Sequence, residues 1–413
     1  MKFKKNKYWM MLAIASLFIF QNLIYSADAA DTAKADEPEK IAPNYLTGDW
    51  GGLRQKMADK GVTFETVYTS ESNFNAKGGL SQGYSVLGNL DITLDMDMEK
   101  MLGWSGGEIF IYGLGGHGMA PTEMVGDIQV TSNIEAGMNY FKLYQIWLKQ
   151  GFLNNRLVFL AGLHDFNSEC YTTRTSGLFF NSSFGIGADL SQTGSNGPSI
   201  FPSTAPAVRM KIEPVEHFYL NFGGYNAIAG NPDKPEATAA DFTFEKGFLL
   251  TGEIGYEDEG DIKLAAGVWD YTKPEKDFSD ADAPGFGIYV LFDKTLGEVF
   301  SFFIRGGMAN PQVYQIAYNI SEGIHLSGKI WGRDDDELGL GVTTVINSAK
   351  YLDQLNSQGV TMDVHETAFE LTYKIQATPW VSIQPDFQYV LNPGTNPDVA
   401  DAYVIAMRAR MSF

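Results

Sequence analysis

The sequence predicts an all-β protein, a sixteen-stranded antiparallel transmembrane β-barrel with short periplasmic turns, long external loops and a short N-terminal helix. Three observations predict it. The chain opens with an export signal. No later segment is apolar for the roughly 20 residues that a membrane helix needs. Stretches of roughly ten residues with alternating polarity recur along the rest of the chain, between connections that are short and long in turn.

Lys2, Lys4, Lys5 and Lys7 form a basic n-region, an apolar run extends from Met10 to Tyr25, and Ala27-Asp28-Ala29 supplies the small residues of a cleavage site. Residues 1–29 are read as a signal peptide cut after Ala29, with a buried N-terminal helix as the alternative. The mature chain is therefore expected in the outer membrane of a Gram-negative-type envelope. A hydrophobic content of 44% suits a soluble secreted protein or a barrel. Cys170 is the single cysteine, so no internal disulfide forms even where the envelope would permit one. A formal charge of −20 argues against nucleic acid, which needs a basic patch.

Residues 30–44 read as a flexible polar leader and 45–61 as a short helical segment at the periplasmic mouth. Asp49 is the expected helix cap, Leu53 and Met57 share a face, and Gly61 ends the helix. The barrel is read over 62–413. Its strands fall at 62–75, 86–98, 107–115, 142–152, 156–166, 207–213, 217–226 and 247–257. The second eight fall at 261–271, 285–293, 299–306, 319–326, 336–346, 366–377, 380–391 and 402–413. The last three show the pattern best. Phe369, Leu371, Tyr373 and Ile375 alternate with Glu370, Thr372, Lys374 and Gln376. Ile383 and Phe387 alternate with Gln384 and Asp386, and Ile405 and Met407 with Ala406 and Arg408. Successive strand residues point to opposite faces, so each strand turns one side to lipid and the other to water.

A soluble sandwich also alternates, but it has no reason to sort its connections. Here Leu153–Asn155, Pro214–Glu216, Asp258–Gly260 and Thr378–Pro379 are short and follow even-numbered strands. Gly116–Phe141, Asn167–Pro206, Ala227–Lys246 and Asn347–His365 are long and follow odd-numbered ones. This is the asymmetry of an outer-membrane barrel.

Several segments carry a family resemblance. Leu46-Thr47-Gly48-Asp49-Trp50-Gly51-Gly52-Leu53-Arg54 opens it, Asn181-Ser182-Ser183-Phe184-Gly185 continues it, and the run from Trp380 to Gly394 is its strongest part, with Arg408, Arg410 and Phe413 at the end. The chain from about residue 44 to 413 resembles the OprB-like carbohydrate-selective porins. The resemblance implies a sixteen-stranded barrel and passive uptake of monosaccharides and similar solutes. Some relatives carry an additional envelope-anchoring domain, for which residues 30–44 leave no room.

A sugar pore needs width, hydrogen-bonding groups and a suitable field. By strand parity the inward bases are Arg209, Lys211, Lys263, Arg305, Lys374, Arg408 and Arg410, and the inward acids Glu253, Glu370 and Asp386. Arg209, Glu253, Arg305, Glu370, Asp386, Arg408 and Arg410 are the expected pore-lining residues. Those on the last three strands form either a wall along which sugars slide or a structural ladder of ion pairs. Trp147 faces inward to stack on a sugar, or belongs to the interfacial belt. The segment Asn167–Pro206, with Arg174, Phe179, Phe180 and Phe184, is long for a loop without structure, and such loops tend to be functional. Arg174 and Phe184 are expected in a constriction if it folds inward; the alternative is a cover for the outer rim.

Enzyme signals fail. Gly113–Gly118 matches a dinucleotide fingerprint, but Met119-Ala120-Pro121-Thr122 gives no helix after it. The five histidines lack metal-ligand spacing. His164-Asp165 reads as a polar rim and Asp334-Asp335-Asp336-Glu337 as a solvated acidic turn. No catalytic residue, cofactor or metal is expected. The expected partners are small carbohydrates and outer-membrane lipid, with a homotrimer left open because porins commonly form one. The alternative function is a structural or general-diffusion barrel without carbohydrate selectivity.

Overall fold

The computed structural model describes residues 44–238, 242–258 and 260–413. The expected signal peptide, and the leader up to residue 43, lie outside the described residues. Sixteen strands close into one antiparallel barrel in which each pairs with its sequence neighbours and the last pairs with the first. They are β1 (Val62–Gly79), β2 (Gly83–Asp97), β3 (Gly107–Gly118), β4 (Tyr140–Phe152), β5 (Leu157–His164), β6 (Ala205–Val215), β7 (Phe218–Asn226) and β8 (Phe248–Asp258). The circuit continues with β9 (Ile262–Lys276), β10 (Asp282–Leu296), β11 (Phe300–Ala309) and β12 (Ile316–Ser327). It closes with β13 (Glu337–Asn347), β14 (His365–Thr378), β15 (Val381–Leu391) and β16 (Ala400–Ser412). Every strand read from the sequence is present. β1, β9 and β10 run further toward the long-loop side than alternation indicates. Backbone pairing continues there while the outward positions turn polar, as at Thr272, so the hydrophobic signal stops before the strand does.

The two faces invert the burial of a soluble protein. Outward Leu371 and Ile383 are 47% and 39% exposed, whereas inward Glu370 and Gln384 are 1% and 7% exposed. Apolar side chains turned out and polar ones turned in suit hydrocarbon outside and a polar lumen. Glu322 interrupts the apolar wall. It is exposed in the middle of β12, with Ile320 and Ile324 on either side along the strand and Ile304 and Val342 opposite it.

The connections at 153–156, 216–217 and 379–380 are tight, with Leu153, Asn154, Asn155 and His217 in left-handed conformations. Residues 119–139, 165–204, 227–247 and 348–364 form the long connections on the other side. Both ends of the barrel lie on the short-turn side. There, the helix Leu53–Asp59 departs from expectation. Gly52, in a left-handed conformation, precedes it with no side-chain cap; Asp49 instead accepts from the Gln55 N–H at 3.1 Å. Its buried residue is Arg54, not the exposed Leu53. The guanidinium lies 4.0 and 3.9 Å from the Tyr45 and Trp50 ring centres and donates to the carbonyls of Gly48 and Phe64 and to the main chain of Phe413. A group that can stack and fork at once draws the start and the end of the barrel together.

Candidate functional site

Two of the long connections fold into the barrel. The larger, residues 165–204, is fixed by inward side chains of the wall. Glu370 on β14 accepts from the Phe180 and Asn181 N–H groups at 2.6 and 2.9 Å. Glu253 on β8 accepts from the Tyr171 N–H at 3.0 Å and from the Tyr219 and Tyr289 hydroxyls, both at 2.7 Å. Asp293 on β10 takes the N–H and hydroxyl of Thr175 at 2.7 and 2.8 Å. Arg305 on β11 donates to the carbonyls of Tyr171, Ser183 and Gly185, and Arg209 on β6 pairs with Glu169. Buried main-chain donors need acceptors, and carboxylates are strong ones. Packing completes the attachment. Phe166, Tyr171 and Leu190 join Tyr225, Trp269 and Tyr289 in one cluster, and Phe179 and Phe184 join Phe303 in another. Inward Gly341 on β13 leaves room for these rings, since a Cβ there would come within 2.7 Å of Phe184.

The second inward segment is 119–139. Glu366 on β14 accepts from the Ile128 and Gln129 N–H groups at 2.8 and 2.9 Å, and Gln388 on β15 donates to the Thr131 carbonyl at 2.8 Å. The loops also bind each other: the Asn133 N–H donates to the Phe180 carbonyl at 2.7 Å, and the Ser182 N–H to that of Val130 at 2.9 Å. They converge on Arg408 of β16. Its guanidinium donates to Glu71 of β1 at 2.8 Å and to Asn133 at 2.7 Å, and lies 3.8 Å from the centre of the Phe180 ring. Glu71 and Arg408 are register partners across the seam that closes the barrel.

On the short-turn side of this convergence the lumen opens into a cavity of about 1490 Å³. That exceeds the roughly 300–1,000 Å³ of a small-ligand pocket and fits a hydrated vestibule better. Ile134 and Leu178 form its ceiling. Glu65, Asp91, Asp334 and Asp335 line it together with Arg174, Lys374, Arg408 and Arg410.

Arg174, Arg408 and Arg410 thus line open space. Arg410 is exposed and has no ion-pair or hydrogen-bond partner among the described residues. Arg209, Glu253, Arg305, Glu370 and Asp386 face inward as parity predicts, but are buried. The first four are anchors beneath loop 165–204, and Asp386 accepts from Gln388 at 3.2 Å. Phe184 is fully buried in the loop's own packing and lines nothing. Parity reports which way a side chain points, not what lies on top of it. Trp147 is on the inner wall, stacked on Phe110 with centroids 4.9 Å apart.

Two further expectations are corrected. His164 and Asp165 are not a rim: His164 is buried beside Tyr225, and Asp165 accepts from the Tyr144 hydroxyl and the Asn167 N–H, both at 2.7 Å. In the acidic run, Asp334 and Asp335 are exposed as read from the sequence, but Asp336 is not solvated. It is buried, paired with Arg333, and accepts from the Tyr373 hydroxyl at 2.7 Å. Its hydrogen bond with Arg333 holds the carboxyl down at about 2. In the loops, burial acts the other way, pushing Asp165 up to about 6, Asp189 to about 7 and Glu135 to about 8.

Sequence reasoning missed Glu71, Asp293 and Glu366 as anchors and read 119–139 only as an external loop. Glu71 shares its parity with Thr69 and Asn73, so the signal was present. A second signal was the run of inward glycines on β13, Gly339 and Gly341, beneath the loop's aromatic rings.

The comparisons agree with this geometry. The family described as carbohydrate-selective porin, OprB family, matches residues 81–413. The chain is 23% identical to Porin B of Pseudomonas aeruginosa over 438 residues, spanning 92% of this chain and 94% of that one. It is also 23% identical to the putative porin QuiX of Acinetobacter baylyi, over 89% of this chain and 93% of that one. The high-pH structure of Pseudomonas putida OprB superposes with a TM-score of 0.81 at 19% identity, covering 90% of this chain and 99% of that one. The low-pH structure gives a TM-score of 0.58 at 18% identity over the same shares. Resting on a family match that covers most of its length, the chain belongs to the OprB family of carbohydrate-selective porins, sugar channels of the outer membrane.

Proposed function

We propose that the barrel passes small neutral sugars by diffusion, and that loops 119–139 and 165–204 set its size limit where they meet Arg408. The observation that carries this reading is the convergence itself. Two loops, each tied to the inner wall by buried carboxylates, are brought against one arginine and its Glu71 partner above an open vestibule. Selectivity in such a pore comes from its width, its hydrogen-bonding groups and its field. Arg408 supplies a planar donor array beside the carboxylate Glu71, and sugar hydroxyls can both donate and accept. The interlaced charges let a neutral solute exchange water for protein contacts. The finer localisation belongs to the same reading: export through a signal cut after Ala29 into a Gram-negative-type outer membrane.

Single-channel recording tests this. A steady ion current that glucose interrupts in a concentration-dependent way supports a sugar in the constriction. A current indifferent to glucose, in a channel that also admits large oligosaccharides, favours a general-diffusion barrel instead.

A further inference from the structure

Loop 165–204 does not lie flat on the wall everywhere. Tyr171, in a left-handed conformation, gives its N–H to Glu253 of β8 at 3.0 Å, and Thr175 gives its N–H to Asp293 of β10 at 2.7 Å. The strand between these anchors is β9. Residues 172–174 therefore arch over it, above inward Lys263 and Ala265. A cavity of about 220 Å³ lies under the arch, bounded by Thr172, Thr173 and Arg174 above and by Glu257, Lys263 and Asp293 on the wall. At about 30 Å³ per water it has room for about seven, enough for a single sugar ring. It reaches the β8–β9 turn at Asp258 and Asp261, so it opens at the short-turn mouth, and Arg174 borders both it and the vestibule.

The charges in this cavity do not pair with one another. Lys263 is the register partner of Glu257 on one side and of Asp293 on the other. It is 9% exposed, yet its ammonium makes no ion pair or hydrogen bond among the described residues. Asp293 is withheld from it, because both carboxylate oxygens are taken by Thr175. Glu257 is not withheld. Its carboxylate bonds nothing among the described residues, and neither does the Thr172 hydroxyl above it. Side chains directly opposite on neighbouring strands stand about 4.5–5.5 Å apart at Cβ, well within reach of an ion pair. Two other register pairs of the inner wall do close up, Lys149 with Glu108 and Lys374 with Glu337. A buried ammonium held apart from a free carboxylate is costly and needs a reason.

We propose that this cavity is a docking site for one neutral sugar ring at the exit of the pore: neighbouring ring hydroxyls bridge Lys263 and Glu257 beneath the arch, accepting from the ammonium and donating to the carboxylate. The inference rests on the porin reading and adds to it a site away from the constriction. An ammonium only donates and a carboxylate only accepts, whereas a hydroxyl does both, so two adjacent hydroxyls satisfy both charges together. The carboxylate opposes an anion and the ammonium opposes a cation, which leaves neutral polyhydroxy solutes as the class that fits.

Cysteine protection tests it. Cys170 is the single cysteine, so Cys170→Ser with Thr172→Cys puts the one thiol in the arch. The protein carrying both changes is placed in liposomes and labelled with iodoacetamide as glucose is raised. Labelling is expected to slow severalfold in glucose and to stay unchanged in glycine betaine, which has no hydroxyl. Adding Glu257→Gln, and separately Lys263→Gln, should each raise the half-protecting glucose concentration about fivefold or more. Heat-modifiable migration shows which of the two barrels has formed, and either one suffices. Protection that is absent, that betaine gives equally, or that a folded variant leaves unchanged overturns the docking site. Swelling of the same liposomes in glucose separates the two readings. Entry without protection removes the docking site alone, whereas no entry removes it together with the porin reading.

Discussion

Replacing Glu370 by Ala should loosen the constriction without opening the barrel. Glu370 is buried on β14, and its two oxygens accept from the N–H groups of Phe180 and Asn181. Leaving a buried donor without a partner costs about 1–3 kcal/mol, so losing both acceptors weakens this attachment by about 2–6 kcal/mol. Phe180 is the residue that stacks on Arg408, so the damage falls at the contact proposed as the constriction. The loop does not leave altogether. Gln384 still donates to the Leu178 carbonyl at 2.8 Å, and Asn133 to that of Phe179 at 3.0 Å. Single-channel conductance and the largest oligosaccharide admitted should therefore both rise in the Ala variant. Glu370→Gln, which keeps one acceptor but turns an NH₂ group toward the second donor, should fall between it and the wild type. Heat-modifiable migration on gels checks that the barrel has formed. A folded Ala variant with wild-type conductance and wild-type size limit would refute the claim that the anchored loop defines the constriction.

Three other outcomes follow from the same structure. On the lipid side, Ile383→Lys should cost about 2–4 kcal/mol in urea unfolding from liposomes, whereas Glu322→Leu should stabilise by about 1–2 kcal/mol; loss of stability in the Leu variant would mean that Glu322 meets a partner rather than lipid. Arg410→Ala removes an unpaired cation from the vestibule and should move the reversal potential toward cation selectivity, and an unmoved potential would place Arg410 outside the conducting path. Loop 165–204 should pack less firmly as pH rises. Asp189 titrates near 7 in the folded protein, above the roughly 3.9 of an unfolded aspartate, so its contribution is complete below the lower value and is lost as pH passes through the higher one. Proteolysis of the loop should be faster at pH 8 than at pH 5.5. Asp189→Asn, which imitates the protonated form, should reduce that difference; an identical difference in both proteins would remove Asp189 as its cause.

The wall of the barrel was legible in the sequence because each strand repeats one simple pattern. Leu371 beside Glu370, or Ile383 beside Gln384, gives the two faces without any knowledge of neighbours. Sorted connection lengths then gave the direction of each strand. The interior was legible only in part. Strand parity turned Arg209, Glu253 and Arg305 inward correctly, but it does not reveal the loop that covers them. The main-chain N–H groups of Phe180, Asn181, Ile128 and Gln129 are what the carboxylates bind, and backbone donors leave no trace in side-chain patterns. The Glu71–Arg408 pair was hidden by its separation along the chain, since the two residues meet only when β16 closes on β1. The same parity that selected Arg408 also selects Glu71, so circular pairing of the first and last strands is enough to recover the pair. Arg54 shows the opposite limit. Helical spacing drew attention to Leu53 and Met57, whereas the buried residue is the charged one, because aromatic rings and main-chain oxygens surround it.

The most direct test of a loop-narrowed sugar channel is osmotic swelling of liposomes that contain the purified mature protein, measured with glucose and with a series of longer oligosaccharides. The structure predicts rapid entry of glucose and a steep decline with each added ring, because the solute must pass between two anchored loops and Arg408. Swelling no faster than in protein-free liposomes, or equally fast for glucose and long oligosaccharides, would contradict it.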